Sequence, residues 1–198
     1  MLFIAAPTFA TVFAGYEVAR SGYISSVKVD VGGGVMAELT KLEAKLGEVT
    51  GLAMAAQAAG SKVMTLAKND EQIVAGLEKM RAEAAETEER CTSLAGTFEG
   101  KKTAILEEAR SVKAKGAEMM RTYLDEDAEA LDGFEFLTMA EAGEVGHWKV
   151  LKALNAKARH TAITELVEWA LPIQERHLSF VQATSAELAD EESPHDPA

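Results

Sequence analysis

Apolar residues recur every three or four positions along most of this chain, the spacing of one face of an α-helix. The pattern runs without interruption between residues 73 and 98. Its members are Ile73, Leu77, Met80, Ala84, Thr87, Cys91, Leu94 and Phe98. A stripe of this length predicts a long helix that packs against other helices.

Four other segments have the same period, and the composition agrees with them. Their stripes run from Val35 to Val63, Ile105 to Tyr123, Phe134 to Asn155, and Ile163 to Thr184, the last helix beginning near Thr161. Aromatic residues make up only 6% of the chain, and Ala, Glu, Lys, Leu and Met are abundant, which favours helices over sheets. We predict an all-α, antiparallel four-helix bundle over residues 34–186. The 105–123 segment is an extra crossover helix between the second and third principal helices.

Helix starts and close contacts can also be predicted. Asn69 with Gln72 is expected to cap the second helix, and Asp132 with Glu135 the third principal helix. Small residues between Ala53 and Gly60 predict the close approach of a neighbouring helix.

The two ends of the chain differ from the helical part. Residues 1–33 form an apolar N-terminal arm without the basic start of a signal peptide, and residues 187–198 are predicted to be an acidic, disordered tail. The arm's apolar run is too short to span a bilayer as a helix. It could instead bind a protein partner, a second copy of the chain, or a membrane surface.

Charge and cysteine content restrict the classes of partner and compartment. The net charge of −12 argues against nucleic-acid binding, because phosphates require a basic surface, but it is compatible with a metal ion. The single cysteine, Cys91, excludes an intramolecular disulfide. We therefore expect a cytoplasmic protein, with peripheral membrane association through the arm as an alternative.

The stripe from Phe134 to Asn155 contains two carboxylates at its centre. Glu141 and Glu144 occupy positions that should face the core, and His147 follows one turn later. A buried carboxylate is costly unless it is paired, hydrogen-bonded or bound to a metal. These residues are therefore candidate metal ligands.

Neighbouring helices could complete such a site. His177 lies on the inward stripe of the last helix with Glu175 at its boundary, and Glu88 lies beside the stripe of the second helix. Carboxylate and imidazole ligands suit Fe or Mn, and Zn less well. The alternative is a metal-free polar core in which the same side chains are satisfied by hydrogen bonds. The first helix places no acid on its inward stripe.

Several stretches resemble the ferritin-like superfamily, particularly its bacterial rubrerythrin-like and stress-associated branches. They are AEAAETEERCTSL, MAEAGEVGHWKVL and LVEWALPIQERHLSFV, with KKTAILEEARSVKAKGAEMM resembling an extra helix of stress-associated members. The resemblance covers roughly residues 37–186. It implies a four-helix bundle, often a homo-oligomer, and in catalytic members a carboxylate-bridged dimetal site that acts in iron oxidation, peroxide reduction or oxygenation.

Matched by position, Glu141, Glu144, His147 and His177 correspond to ligands of that site, and Glu86 or Glu88 to the acid of the second helix. Cys91 and Gln174 stand where the resemblance leads us to expect His and Glu. We therefore expect an atypical or incomplete metal site, related to iron or oxidative stress, without deciding whether the protein is an enzyme. The alternative function is a non-catalytic scaffold whose arm, residues 1–33, mediates assembly or membrane association.

Overall fold

Five α-helices make up most of the chain that the computed structural model describes, namely residues 37–193 and residue 195. They are α1 (Lys41–Leu66), α2 (Glu71–Ala95), α3 (Lys102–Tyr123), α4 (Ala130–Ala158) and α5 (Thr161–Glu191). No β-strand occurs in this range, which confirms the all-α prediction. The predicted N-terminal arm lies outside the described residues. None of the helices described is long and apolar enough to cross a membrane.

Short-range hydrogen bonds set where the helices begin. Thr40 and Glu43 form a reciprocal capping box at the start of α1, a signal the sequence interpretation missed. The prediction for α2 was wrong by one residue, because the Asp70 carboxylate, and not Asn69, accepts from the amides of Gln72 and Ile73.

Two other predicted helix ends also require correction. Asp132 is not the N-cap of α4; it lies inside the helix, and its carboxylate accepts from the amide of Glu129, 2.8 Å away. At the other end of the chain, α5 continues to Glu191, beyond the predicted boundary at residue 186. Residues 187–191, which were assigned to the tail, are therefore helical.

A tight turn of two residues joins α4 to α5. Arg159 adopts a left-handed conformation with φ of 58°, which reverses the chain. The Asn155 side chain accepts from the amide of His160 and donates to its carbonyl and to the Thr164 hydroxyl, at 2.9–3.0 Å. Asn155, the last polar residue of the predicted stripe, is thus a buried structural amide.

Glycines allow α3 to pack closely on α1. A Cβ added at Gly47 would lie 2.7 Å from the carbonyl oxygen of Ile105, and one at Gly51 would lie 2.4 Å from that of Ala109. Within the predicted segment, a Cβ added at Gly116 of α3 would lie 2.8 Å from the Ala55 Cβ, whereas one at Gly60 would meet nothing within 4 Å, so the predicted close approach is confirmed at Ala55 and not at Gly60. The close approach of α3 therefore also extends from Ala55 toward the start of α1, at Gly51 and Gly47.

The buried side chains form two apolar clusters. The first, which we call the Trp148 cluster, consists of Leu46, Val49, Cys91, Leu94, Ala95, Ile105, Trp148, Leu151, Ile163, Leu166, Val167 and Ala170. The second, the Phe134 cluster, consists of Ala59, Val63, Ala67, Ile73, Leu77, Met80, Leu124, Phe134, Phe136, Leu137 and Val181. Helix α1 packs against α2, α3 and α4, and α5 packs against α4 and α2. This all-helical arrangement is compatible with a helical bundle.

Candidate functional site

A set of polar side chains lies between the two apolar clusters, and we call it the polar layer. Along each of α1, α2, α4 and α5, the polar-layer residues follow the residues that belong to one apolar cluster and precede those that belong to the other. They are Thr50 and Gln57 of α1, Glu83, Thr87 and Glu88 of α2, Glu141 and Glu144 of α4, and Gln174 and His177 of α5. The helical stripes correctly predicted that Glu141, Glu144, Gln174 and His177 are buried.

The two carboxylates of α4 are the most unusual members of the polar layer. Glu141 is 2% exposed and Glu144 is 3% exposed. Glu141 Oε2 and Glu144 Oε1 are buried without a hydrogen-bond partner among the described residues. Burial, together with the charge of Glu144, raises the pKa of Glu141 well above its ordinary value. Burial raises the pKa of Glu144 to about 7. The metal-free protein therefore favours protons on this pair.

His177 connects the carboxylate pair to α2. Its Nδ1 lies 3.8 Å from Glu141 Oε2, and its Nε2 lies 2.7 Å from Glu83 Oε2. Glu83 Oε1 also accepts from the guanidinium of Arg176 at 2.6 Å. Burial lowers the pKa of His177 below its ordinary value, although its hydrogen bond to the Glu83 carboxylate opposes this change. The imidazole is consequently neutral near pH 7, with one nitrogen directed toward Glu141.

Gln174 and Trp148 add further polar groups without partners. Both side-chain amide atoms of Gln174 and the indole nitrogen of Trp148 are buried and make no hydrogen bond within the described part of the chain. An unsatisfied buried polar group costs roughly 1–3 kcal/mol. Several such groups beside two carboxylates indicate a layer whose side chains are suited to a polar or ionic ligand.

The α1 and α2 side of the layer is better satisfied. Gln57 donates to Glu88 Oε2 at 2.6 Å, and Thr50 donates to the carbonyl of Leu46 at 2.7 Å. Burial raises the pKa of Cys91 to about 12, so this thiol keeps its proton in the metal-free protein. Glu88 is a candidate ligand from the sequence, and its hydrogen bond to the Gln57 amide of α1 occupies one of its oxygens.

Two other candidate ligands lie outside the polar layer. His147 is 41% exposed, and its Nδ1 lies 2.9 Å from Glu48 Oε2 of α1. Glu175 is half-exposed and forms an ion pair with Lys149 at 3.0 Å. The structure therefore brings together Glu141, Glu144 and His177 and keeps His147 and Glu175 apart from them. Three residues after Glu144, the helix has rotated His147 toward α1 and solvent.

The polar layer contains donor types that metal ions use, in smaller number than a dinuclear centre requires. Carboxylate oxygens and an imidazole nitrogen suit Mn, Fe and Zn, and orphaned carboxylate oxygens are present. A dinuclear cage lacks a carboxylate from α1, which provides Thr50 and Gln57 at this level of the described structure. No group of three or more His, Cys, Asp or Glu within residues 37–193 and 195 is arranged to hold a metal ion. Binding would require side-chain movement at His177 or the two carboxylates.

A large surface cleft is separate from these residues. It has a volume of about 490 Å³ and lies where the α1–α2 turn meets the end of α5, lined by Ile73, Phe180 and Leu188 with Asp70 and Glu187 among the acidic residues. None of the polar-layer residues lines it. The candidate site is therefore the pair of buried carboxylates, which lies apart from this cleft.

The sequence interpretation missed Glu83. It flanks the buried stripe of α2, one turn before Thr87, and its backbone carbonyl accepts from the Thr87 hydroxyl at 2.8 Å. A flanking position does not by itself predict an inward contact. The available signal was the pairing of an acid beside the α2 stripe with an inward histidine on α5.

Comparisons with known proteins assign no relative to this chain. No family model, no curated protein and no solved structure matches it. The functional interpretation therefore depends on the chemistry and geometry of the side chains described above.

Proposed function

We propose that this protein is a ferritin-like, antiparallel four-helix bundle whose polar layer binds one divalent cation, Fe or Mn in preference to Zn. Glu141 and Glu144 are the proposed carboxylate ligands, and His177 provides a nitrogen ligand. The main support is the burial of two neighbouring carboxylates, each of which has one oxygen without a hydrogen-bond partner in the described structure. A cation is one of the few groups that can compensate such a pair in a protein interior.

The order of the cluster contacts supports the proposed topology. Read from N-terminus to C-terminus, α1 and α5 contribute residues first to the Trp148 cluster and then to the Phe134 cluster. Helices α2 and α4 contribute to the two clusters in the opposite order. Helix α3 contributes Ile105 to the Trp148 cluster and leads to Leu124 of the Phe134 cluster, so it crosses the length of the bundle. This is the arrangement expected when a crossover helix connects two antiparallel pairs.

The chain's own residues would perform distinct tasks in such a site. Glu141 and Glu144 would exchange their protons for the cation, and His177 would offer the Nδ1 that faces Glu141. The fully buried Trp148, one turn after Glu144, would exclude bulk water from that side. A bound Fe or Mn ion would supply Lewis-acid or redox chemistry.

Cation titration separates this proposal from a metal-free polar core. Protein purified without chelator should bind about one Mn²⁺ per chain by calorimetry and by loss of the free-ion paramagnetic resonance signal. Glu144→Gln should weaken binding by at least about 10-fold, because it replaces a charged ligand with a neutral amide of the same shape.

The surface carboxylate Glu175 provides the matched control. Glu175→Gln makes the same chemical change at a position paired with Lys149 and should leave the affinity unchanged. The proposal is overturned if Mn²⁺, Fe²⁺ under anaerobic conditions and Zn²⁺ all fail to bind. Equal effects of the two substitutions would also contradict it, because the binding would then come from general surface charge.

A further inference from the structure

Glu83 is a carboxylate of the polar layer that contacts both a buried side chain and a surface side chain. Its two oxygens have different partners: Oε2 lies 2.7 Å from His177 Nε2, and Oε1 lies 2.6 Å from the guanidinium of Arg176. The Glu83 side chain is 20% exposed, whereas that of His177 is 4% exposed. The acid therefore contacts a surface cation with one oxygen and a buried imidazole with the other.

These contacts determine which nitrogen of His177 holds the proton. Glu83 is 20% exposed and forms an ion pair with the guanidinium of Arg176 at 2.6 Å, which is the setting of an ionised carboxylate. An ionised carboxylate can only accept a hydrogen bond, and Nε2 must consequently donate. A neutral imidazole with its proton on Nε2 has its free electron pair on Nδ1, the nitrogen 3.8 Å from Glu141 Oε2.

We propose that Glu83 is a positioning residue that holds His177 as its Nε2–H tautomer and thereby directs the Nδ1 electron pair toward Glu141. This inference deepens the proposed cation site and rests on it for its functional meaning. Glu83 does not touch the cation; it acts through the imidazole. Arg176 pairs with the other oxygen of Glu83 and leaves Oε2 for His177.

The competing interpretation is that Glu83 only forms a surface ion pair with Arg176. Exposed ion pairs contribute about 0–1 kcal/mol to stability, so stability measurements alone cannot distinguish the two interpretations. The tautomer of His177 can, because a surface ion pair has no effect on it.

Nitrogen NMR of the metal-free protein tests the inference directly. With ¹⁵N-labelled histidine at neutral pH, the wild-type protein should show His177 as a single neutral tautomer with its proton on Nε2. Glu83→Leu removes the acceptor and should produce a mixture of tautomers or the Nδ1–H form. Glu83→Gln retains an acceptor oxygen and should preserve the wild-type tautomer, which makes it the conservative rescue.

Arg176→Gln is the matched control, since it removes the ion pair but leaves the Glu83–His177 hydrogen bond. It should leave the tautomer unchanged. An unchanged tautomer in folded Glu83→Leu overturns the inference. If that variant does not fold, the wild-type spectrum still decides, because an Nδ1–H tautomer there contradicts the proposed hydrogen bond.

Mn²⁺ titration connects the tautomer to function. Glu83→Leu should bind Mn²⁺ about 10–100-fold more weakly than wild type, with Glu141 and Glu144 still present, and Glu83→Gln should recover most of the affinity. Equal affinity of wild type and Glu83→Leu contradicts the positioning role. If wild type binds no Mn²⁺, Fe²⁺ or Zn²⁺, the proposed function fails, and the role of Glu83 in fixing the tautomer is still decided by NMR.

Discussion

Buried carboxylates in this protein fall into two kinds. Glu43 is buried at the start of α1, and its carboxylate accepts from the amide of Thr40 at 2.7 Å, so burial and hydrogen bonding agree. Glu141 and Glu144 are more deeply buried, and each has an oxygen with no partner in the described residues. The first kind stabilises a helix end, whereas the second makes the metal-free protein less stable than an apolar core would be.

Replacing Glu144 with Gln should therefore stabilise the metal-free protein at pH 8. The pKa of Glu144 rises from 4.5 in the unfolded chain to about 7 in the folded protein, which corresponds to a penalty of up to about 3 kcal/mol once the group ionises. Urea unfolding at pH 8 should show a gain of roughly 1–3 kcal/mol, because the new amide still lacks a partner. Glu86→Gln, at a surface position bonded to Arg90, should change stability by less than about 0.5 kcal/mol. A Glu144→Gln protein less stable than wild type would contradict the assigned penalty.

Much of the candidate site could be predicted at the residue scale. The errors in that prediction share one physical origin, since contacts between helices are not contained in the pattern of one helix. Glu141, Glu144 and His177 were found because a stripe of period 3.6 identifies the inward face of a helix. His147 was included because residues three apart share a broad face, but its position toward α1 depends on Glu48, which is remote in sequence. Glu83 was missed for the reverse reason: its flanking position becomes inward only when α5 supplies His177.

At the scale of the elements, the helices were predictable and their contacts were less so. Every helix coincides with a predicted stripe, yet the α2 cap was displaced from Asp70 to Asn69 because both side chains can cap a helix. The α1–α3 contact at Gly47 and Gly51 could not be read from the sequence, since small residues are equally frequent nearby. Periodicity reports which face is buried and does not report which neighbour buries it.

Gly51→Ala should weaken the contact between α1 and α3. The added methyl group would lie 2.4 Å from the Ala109 carbonyl oxygen and 2.7 Å from Val112 Cβ, so the helices must separate. We expect the free energy of unfolding to fall by about 1–3 kcal/mol in urea titrations. Gly143→Ala is the matched control, since its Cβ would meet nothing within 4 Å, and it should stabilise the protein by about 0.5–1 kcal/mol through helix propensity. Similar effects of the two changes would show that α3 does not pack as described.

At the scale of the whole molecule, titration of the polar layer should make stability depend on pH. The folded protein retains protons on Glu141 and Glu144 above the ordinary pKa of these groups, so unfolding releases protons as the pH rises. The free energy of unfolding then decreases as the pH rises from 4.5, the ordinary pKa of these groups, through about 7, the pKa of Glu144 in the folded protein. His177 has the opposite effect only below about pH 6.5, where the unfolded chain binds a proton that the folded chain does not.

Thermal unfolding of the metal-free protein should consequently show a falling Tm between pH 6.5 and pH 8. Saturating Mn²⁺ should raise the Tm most at pH 8, because the cation competes with the protons that the ligands retain at lower pH. Glu144→Gln should reduce both the slope and the effect of Mn²⁺. A Tm that rises steadily from pH 6.5 to pH 8 in the metal-free protein would contradict the raised pKa values.

The polar layer also fixes the alignment of the helices along their length. Aliphatic side chains of the Trp148 and Phe134 clusters could interdigitate after one helix slides along another by one turn, about 5.4 Å. Such a slide of α5 against α2 would separate His177 from Glu83 and bring charged groups against apolar neighbours. One row of polar residues therefore selects a single register among several that the apolar pattern would accept, at a cost in stability.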